Sequence, residues 1–414
     1  MSSRSRSQVA GAIALAGLLA AGCGGPTTGA SPGATASASP ASDLAGTPTE
    51  APVTASPTGS WHPIADGPLS PRASATAAWT GREVLVFGGH DLPCPITHCY
   101  PNANDVLVDG AAYHPVTDTW RPIAPAPVPV LYAQTALVGE ILYVRAASAD
   151  AYSPESPPRW FAYEVAADRW REIRSGPENG QPVAAGGTLF AHRPVPHGSE
   201  PAFSSYDPET DSWADLPDDE LGANLDRAGL GDGQRLYSIA YDWTSAEVKA
   251  RIASFDLGTR AWERLPDPPI GALPTTVVGG HLVDPEGQYT AAYNPDTRQW
   301  SVGAGHPDEP TTGNDNALKS HLVGPGLVVA SSNLVLDADT MRWWTLPPHE
   351  ALGGDDVPFE SVADVAAAWA GDRLFVWGGV RRWDQAEGEE PPVPVPATRL
   401  RDTGWVWVPS TAGG

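Results

Sequence analysis

This chain of 414 residues has little lysine, few cysteines and no long apolar run, and each shortage narrows what it can be. Lysine occurs only at Lys249 and Lys319, so arginine carries almost all of the positive charge. The 25 basic residues face 49 acidic ones, and the formal net charge of −24 argues against nucleic acid and anionic lipid headgroups as partners. The metalloprotease motif HExxH and the phosphate-binding P-loop are absent from the sequence, as is an Asp-x-Asp-x-Asp calcium loop.

The N-terminus has the features of a targeting segment. Arg4 and Arg6 precede the uncharged run Val9–Gly22, whose 14 residues fit the core of a signal peptide. A membrane-spanning helix needs about 20 apolar residues, so the run is too short to be one. It ends in LLAAGC, which resembles a bacterial lipobox, although Ala20 stands where a larger aliphatic residue is usual. The resemblance implies cleavage after residue 22 and lipidation of Cys23. An ordinary secretory signal with an incidental cysteine is the alternative.

Residues 23–60 predict a flexible stalk. After Cys23 they are mostly Ser, Thr, Ala, Pro and Gly, with Asp43 and Glu50 as the charged residues, so they cannot bury enough apolar surface to fold. We therefore expect a signal peptide over 1–22, a lipidated stalk over 23–60 and a folded domain over 61–414. The expected location is the outer side of the bacterial cell membrane, which the chain contacts only through its lipid.

The other two cysteines stand in the stretch CPITHC, at Cys94 and Cys99. An even pair in an exported protein favours a disulfide between them. A zinc site completed by His90 or His98 is the alternative, although no second ligand pair of suitable spacing follows.

The stretch YHPVTDTW recurs along the chain. In each copy a large apolar residue stands seven positions before a tryptophan, and the tryptophans are about 47 residues apart on average, a period typical of stacked or radial repeats. Asp or Asn follows the apolar residue in most copies, often with Pro next, which predicts a type I turn whose side chain bonds back to the backbone. The six hairpins so predicted are Tyr113–Trp120, Tyr163–Trp170, Tyr206–Trp213, Phe255–Trp262, Tyr293–Trp300 and Leu336–Trp343.

A different hairpin precedes these copies and also repeats. Ala77–Gly89 (AAWTGREVLVFGG) aligns without a gap with Ala367–Gly379 (AAWAGDRLFVWGG). Small residues on its first strand suit a crowded centre, and the double glycine allows close backbone approach and positive φ. Weaker versions begin at Thr135, Ala228 and His321.

A double glycine after an apolar strand, followed by Tyr and then by Trp seven residues later, resembles the kelch repeat, and the resemblance covers residues 61–414. It implies an all-β fold: a β-propeller of the galactose oxidase and kelch-like kind, with four-stranded blades around a channel. Seven blades follow from the repeat tryptophans Trp61, Trp120, Trp170, Trp213, Trp262, Trp300 and Trp343. The seventh blade is expected to combine Ala363–Trp369, Arg373–Gly379 and Gly404–Pro409 with the N-terminal strand Trp61–Ile64, which closes the ring. Six blades with a decayed C-terminal unit is the alternative.

Long insertions predict a functional face. With strands a to d counted outward in a blade, the b–c and d–a connections leave on one face and the tight a–b and c–d turns on the other. The b–c insertions His90–Asp105 of blade one and Val380–Leu400 of blade seven then lie side by side with the d–a segment Ala65–Arg72. Aromatic and arginine side chains are those that binding sites favour, although such loops could also merely cover the strand ends. The candidate binding residues are His90, Asp91, His98, Tyr100, Arg72, Arg381, Arg382, Trp383 and Asp384.

The sequence favours a binding module over an enzyme. Propellers that resemble galactose oxidase need Tyr and His ligands for copper, but Tyr113–His114 is the one Tyr-His pair in the sequence, and two other copies of the hairpin have Phe255 and Leu336 in place of the tyrosine. His192 and His197 share a Pro-rich loop typical of a surface, so neither a metal nor a cofactor is expected. We predict a monomer that recognises an unknown protein or carbohydrate at the cell surface. An enzyme of copper-radical oxidase or sugar-isomerising type, with its site at the channel mouth, is the alternative.

Replacing Cys23 by alanine tests the anchor. In a bacterium that processes lipoproteins, the wild-type chain is expected to incorporate labelled palmitate and to enter a detergent phase, since acyl chains contribute about 0.8 kcal/mol per buried methylene. Cys23→Ala is expected to lose the label and to remain in the aqueous phase, whereas Cys94→Ala keeps the label. Equal labelling of the wild type and Cys23→Ala contradicts the lipidation prediction.

Overall fold

A computed structural model of the chain describes residues 59–92, 105–131, 133–146, 158–194, 200–223, 225–244, 248–269, 271–285, 290–303, 322–324, 326–329, 334–352, 360–383 and 399–410. Within these ranges, no helix has the length and hydropathy that crossing a membrane requires. The predicted signal peptide, Cys23, the stalk as far as residue 58, and both Cys94 and Cys99 lie outside them. Lipidation and the disulfide therefore stay predictions.

The strands of the described residues form seven four-stranded antiparallel sheets. Sheet 1 contains β2 (Thr76–Trp79), β3 (Val84–Phe87), β4 (Gly110–His114) and β5 (Thr119–Ile123); sheet 2 contains β6 (Gln134–Val138), β7 (Ile141–Ala146), β8 (Arg159–Glu164) and β9 (Arg169–Ile173). Sheet 3 contains β10 (Gln181–Ala185), β11 (Thr188–His192), β12 (Phe203–Asp207) and β13 (Ser212–Asp215); sheet 4 contains β14 (Asp226–Gly231), β15 (Leu236–Asp242), β16 (Lys249–Asp256) and β17 (Ala261–Arg264). Sheet 5 contains β18 (Thr276–Val278), β19 (His281–Asp284), β20 (Ala291–Asn294) and β21 (Gln299–Val302); sheet 6 contains β22 (Leu322–Val323), β23 (Leu327–Val329), β24 (Leu334–Asp337) and β25 (Arg342–Thr345). Sheet 7 contains β27 (Ala366–Ala370), β28 (Arg373–Trp377), β31 (Gly404–Pro409) and β1 (Gly59–Pro63).

Sheet 7 joins the first described strand of the chain to the last. In sheets 1 to 6 each strand pairs with the next one along the chain, whereas in sheet 7 the N-terminal strand β1 pairs with β31, with Gly59 opposite Pro409. The first strand of this sheet begins at Ala366, three residues after the predicted start. Residues 360–363 instead form β26 (Glu360–Ala363), which pairs with β29 (Val380–Trp383), itself paired with β30 (Arg399–Leu400), in a separate three-stranded sheet.

The apolar core is divided among the spaces between the sheets. Seven apolar clusters each combine residues of two sheets: 1 with 2, 2 with 3, 3 with 4, 4 with 5, 5 with 6, 6 with 7, and 7 with 1. In the last of these, the ring of Tyr113 in sheet 1 lies 5.3 Å from that of Phe375 in sheet 7. Because neighbours cover both faces of a sheet, its middle strands are apolar on consecutive residues, as in the fully buried VLVF of β3.

The repeated outer hairpin attaches each sheet to the preceding one, as sheet 2 illustrates. Asp168, two residues before Trp170, has a φ of 47° and accepts a hydrogen bond from the Tyr163 hydroxyl at 2.7 Å. The same carboxylate oxygen accepts the backbone N–H of Ala124, just beyond the last strand of sheet 1, at 2.8 Å. Trp170 Nε1 donates to the carbonyl of that same Ala124 at 2.8 Å. A hairpin of one sheet thereby holds the connection that leaves its neighbour.

This attachment recurs around the chain. Trp120 of sheet 1 donates to the Ala65 carbonyl just beyond β1 of sheet 7, and Trp61 of sheet 7 donates to the Pro347 carbonyl just beyond sheet 6. Trp343 differs, since its indole N–H donates to the Thr290 hydroxyl rather than to a carbonyl. The remaining pairs are Trp213 with Arg174, Trp262 with Pro217 and Trp300 with Pro266.

The predicted turn chemistry is confirmed. The Asp or Asn that follows the apolar residue accepts backbone N–H groups two or three residues further on, at Asp207, Asp256, Asn294 and Asp337. The tyrosines are more than apolar strand ends, because three of their hydroxyls donate to an aspartate. Burial is the main cause that raises the pKa of Tyr206 to about 12, and its partner Asp211 raises it further. The Tyr206 hydroxyl therefore keeps the proton that it donates to Asp211.

Asp211→Ala tests the attachment. Asp211 has a φ of 49° and accepts both the Arg174 N–H and the Tyr206 hydroxyl, so alanine loses two hydrogen bonds and takes on backbone strain. We expect a loss of about 2 to 3 kcal/mol in the free energy of unfolding, measured with urea at neutral pH. Asp211→Asn keeps an acceptor oxygen and tolerates this φ, so it is expected to lose clearly less. Equal losses for the two variants contradict the proposed contacts.

Candidate functional site

The structure brings the two predicted insertions together along residues 72–74. Ala73 and His90, at the start of the insertion in sheet 1, exchange two backbone hydrogen bonds of 3.0 and 2.9 Å. Arg72 donates its N–H to the Arg401 carbonyl at 3.1 Å and accepts the N–H of Gly379 at 2.9 Å, both at the ends of the insertion in sheet 7. We call residues 72–74 the seam. A segment of three residues thus holds the two longest connections side by side.

Double glycines make this close approach possible. Gly88 and Gly89 have φ values of 68° and 84°, and Gly378 and Gly379 have values of 69° and 89°. A β-carbon on Gly89 would lie 2.6 Å from the Ala73 carbonyl oxygen, and one on Gly379 would lie 2.7 Å from that of Ala363. Both consequences expected of the double glycine, positive φ and backbone contact, are confirmed here.

Arg72 supports the seam from inside. Its side chain is fully buried, and its guanidinium binds both carboxylate oxygens of Asp109 at 2.7 and 2.9 Å. It also donates to the carbonyls of Ser70 and Gly88 and to the Ser70 hydroxyl. The guanidinium beside Asp109 lowers the pKa of that half-exposed carboxyl. A side chain so enclosed offers no surface to a ligand, so its role is to join the connection at residue 72 to that at residue 109.

The other candidate residues differ in exposure. His90 is buried at the seam, whereas Asp91 beside it is exposed. Arg381 is partly exposed and lies 4.0 Å from the carboxylate of Glu350. Arg382 and Trp383 belong to strand β29, next to Arg381. His98, Tyr100 and Asp384 lie outside the described residues.

A small sheet near the seam went unpredicted, as did Arg401. Strands β26, β29 and β30 turn the start and end of the long insertion into a paired hairpin, with Arg381 opposite both Val362 and Arg399. Arg401 follows this hairpin, is buried, and places its guanidinium carbon 4.5 Å from the ring centre of Trp405. No sequence motif marks the small sheet, because its three strands come from separate segments.

A search for relatives bears on the fold. No family model matches the chain. Over 322 residues it is 26% identical to the Kelch-like protein terF of Aspergillus terreus, an alignment that covers 70% of this chain and 67% of that protein. The described residues also form one four-stranded antiparallel sheet after another. Together these findings support a kelch-type β-propeller.

Within this propeller, His192 lies where the sequence did not predict it. It ends strand β11 with 6% of its surface exposed, and a β-carbon on Gly229 would lie 2.7 Å from its ring. Burial lowers its pKa to about 4, so it is neutral at ordinary pH. The expectation of a surface histidine here is wrong; His197 lies outside the described residues. No three His, Cys, Asp or Glu side chains of the described residues cluster as metal ligands.

Arg72→Ala tests the support of the seam. Since Arg72 is buried and Asp109 is half exposed, we expect a loss of about 2 to 3 kcal/mol in the free energy of unfolding at pH 7. The folded-state pKa of Asp109 lies below its unfolded value of 3.8, so the pair stabilises the fold above that pH and stops doing so as the pH falls through the lowered pKa.

The measurement is urea unfolding of wild type, Arg72→Ala and Arg72→Lys as the pH is lowered from 7 to below the unfolded pKa of Asp109. The difference between wild type and Arg72→Ala is expected to shrink in acid. Arg72→Lys keeps the charge but loses the two-pronged geometry, so an intermediate stability is expected. A difference that stays constant with pH excludes the ion pair as its cause.

Proposed function

We propose that this protein is a seven-bladed, closed kelch-type propeller that serves as a binding scaffold. Seven apolar clusters connect the sheets in an order that returns from sheet 7 to sheet 1. Trp61 and Trp120 attach sheet 7 to its neighbours on either side. Strand β1 gives sheet 7 a fourth strand, which removes the open edge that a three-stranded last blade leaves.

The proposed binding surface is the face that carries the long connections of sheets 1 and 7. The observation that carries it is the seam, because Arg72 and Ala73 hold both connections by backbone hydrogen bonds. Functional side chains are placed most precisely by rigid support beneath variable loops. We therefore assign Arg72 and His90 to the support, and Asp91 and Arg381 to the surface that meets the partner; Arg382 and Trp383, on the same strand as Arg381, are the further candidates.

A protein is the partner that this surface fits best. The described side chains around the seam combine both charges with apolar area: Asp109 is 53% exposed, Arg381 39%, Glu350 59% and Val108 37%. Such mixed surfaces are typical of protein interfaces, whereas nucleic acid requires a concentration of positive charge. The match to a Kelch-like protein supports the propeller on which such a surface is built. A glycan partner is the other outcome that the experiment below distinguishes.

We further propose that the propeller is displayed outside the cell by the lipidated Cys23 and the stalk. The stalk continues into Gly59, the first residue of β1, so the anchor pulls directly on the strand that completes sheet 7. The pairing of β1 over five residues and the hydrogen bond of Trp61 to Pro347 oppose this pull.

The binding face is tested by changing it without touching the seam. Two variants serve: Trp383→Ala, and replacement of residues 384–398 by Gly-Ser-Gly between the paired ends of β29 and β30. The control is Val116→Ser, in an outer-hairpin turn on the opposite face, where Val116 is 79% exposed. Partners are captured by crosslinking on cells that make the full-length chain.

At least a tenfold fall in partner recovery is expected for both variants, because truncated hot-spot side chains commonly cost about 1.4 kcal/mol or more. Val116→Ser is expected to recover the partner as the wild type does. Unchanged recovery by both variants contradicts the proposed face. Recovery abolished by prior glycosidase treatment of the cells identifies the partner's glycan, rather than its protein surface, as the ligand.

A further inference from the structure

A cavity of about 550 Å³ lies among the innermost strands of four neighbouring sheets. Its lining includes Trp79 of sheet 1, Leu137 of sheet 2, Val323 of sheet 6 and Trp369 of sheet 7. These residues lie at the ends of their strands that lead into the first tight turn, whereas the seam lies at the opposite ends. The cavity is therefore separate from the proposed binding face.

The four lining residues Trp79, Leu137, Val323 and Trp369 occupy the same position in the register of their sheets. Each belongs to the first strand of its sheet and stands one residue pair before the turn to the second strand: Trp79 opposite Val84, Leu137 opposite Leu142, Val323 opposite Val328, and Trp369 opposite Leu374. In the other three sheets the same position holds Ala184, Gly231 and Val277. We call these seven positions the collar; none carries an acidic, basic or hydroxyl group, and its largest side chains, Trp79 and Trp369, line the cavity.

Small residues behind the collar create the volume. Ala77 and Ala367 also line the cavity, two positions before the tryptophans Trp79 and Trp369. The repeated sequence AAW, found in sheets 1 and 7, therefore supplies both the large rings and the room beside them. The corresponding position holds the larger Pro182 in sheet 3 and Gly229 in sheet 4.

The walls select an uncharged ligand. None of the described lining residues is charged, and the indole N–H of Trp369 already donates to the Leu322 carbonyl at 3.0 Å. The Thr135 hydroxyl and the Trp79 indole N–H are the other hydrogen-bonding side-chain groups of the described lining. A charged group brought here would lose its hydration without a counter-charge, which is costly. A neutral molecule with one acceptor loses far less.

The volume matches a small molecule. Ligand cavities in proteins span about 300 to 1,000 Å³, a range that includes this one. We propose that the cavity binds an uncharged, largely apolar small molecule whose ring system packs against Trp79. Cyclic aromatic or alicyclic compounds with a single carbonyl or hydroxyl are the class that this lining fits.

The probe for the test is 6-propionyl-2-dimethylaminonaphthalene, an uncharged fluorophore with one carbonyl whose emission shifts to the blue in apolar surroundings. Titration of the full-length chain is expected to saturate at one probe per chain, with a Kd of about 1 to 100 µM for a ligand of this size. Ala367→Leu fills the cavity and is expected to weaken binding at least tenfold. Ala261→Leu makes the same substitution at an exposed position of the outer strand of sheet 4, outside the lining, and is expected to bind as the wild type does.

Thermal unfolding of each variant checks that the fold is intact, and Ala77→Val, a smaller addition, replaces Ala367→Leu if that variant does not fold. Absence of saturable binding to the wild type overturns the proposal, and so does equal binding by the wild type and the filled variants. If partner capture depends on Ala367 while the probe does not bind, the cavity receives a protein side chain and the small-molecule proposal is wrong. Loss of the probe with normal partner capture separates this site from the proposed binding face.

Discussion

The structure depends on one repeated contact: the indole N–H of a hairpin tryptophan donates to the backbone that leaves the preceding sheet. A single four-stranded sheet whose middle strands are apolar on both faces has no stability in water until neighbours cover it. The tryptophan contributes to this in two ways, since its ring adds apolar area between sheets and its N–H fixes where the chain leaves the neighbour. Asp168 and its equivalents complete the contact from the same hairpin, through the Ala124 N–H and the Tyr163 hydroxyl. Stability is consequently spread over the sheet interfaces, and a change at one interface weakens two sheets.

Alternation of strand direction gives the two ends of the inner strands different chemistry. At one end the chain crosses from sheet to sheet, and its exposed connections carry charge around the ion pair of buried Arg72 with half-exposed Asp109. At the other end the connections are tight turns of two residues, which leave the side chains of Trp79 and Leu137 to shape the surface. The first end suits a large, polar partner, whereas the second encloses a small apolar space. Both ends follow from one topology, in which the strands of each sheet alternate in direction.

Most of the architecture was predictable because it is local and repeated. The hairpin Tyr163–Trp170 is recognisable from the residues within it. Its pattern is weak in a single copy, but six copies at a regular spacing identify it as a repeat. Even the pairing of the N-terminal strand with β31 followed from counting strands. The separate sheet of β26, β29 and β30 was not predicted, because short strands far apart in the chain carry no shared pattern. The sequence likewise predicts that the first strand of sheet 7 begins at Ala363, whereas β27 begins at Ala366 because residues 360–363 belong to β26.

By itself, the sequence determined the class of fold, the turn chemistry and the proximity of the two long insertions, since each follows from spacing, turn residues and strand alternation. Only the tertiary structure decided which side chains of that region are support and which are surface. Arg72 is a candidate ligand contact by its residue type, but its side chain is buried and paired with Asp109. His192 is expected at the surface, but it is buried beside Gly229. The cavity likewise depends on four separate strands that bring Trp79, Leu137, Val323 and Trp369 around one space. Burial and register are properties of how separate segments meet, and no single segment contains them.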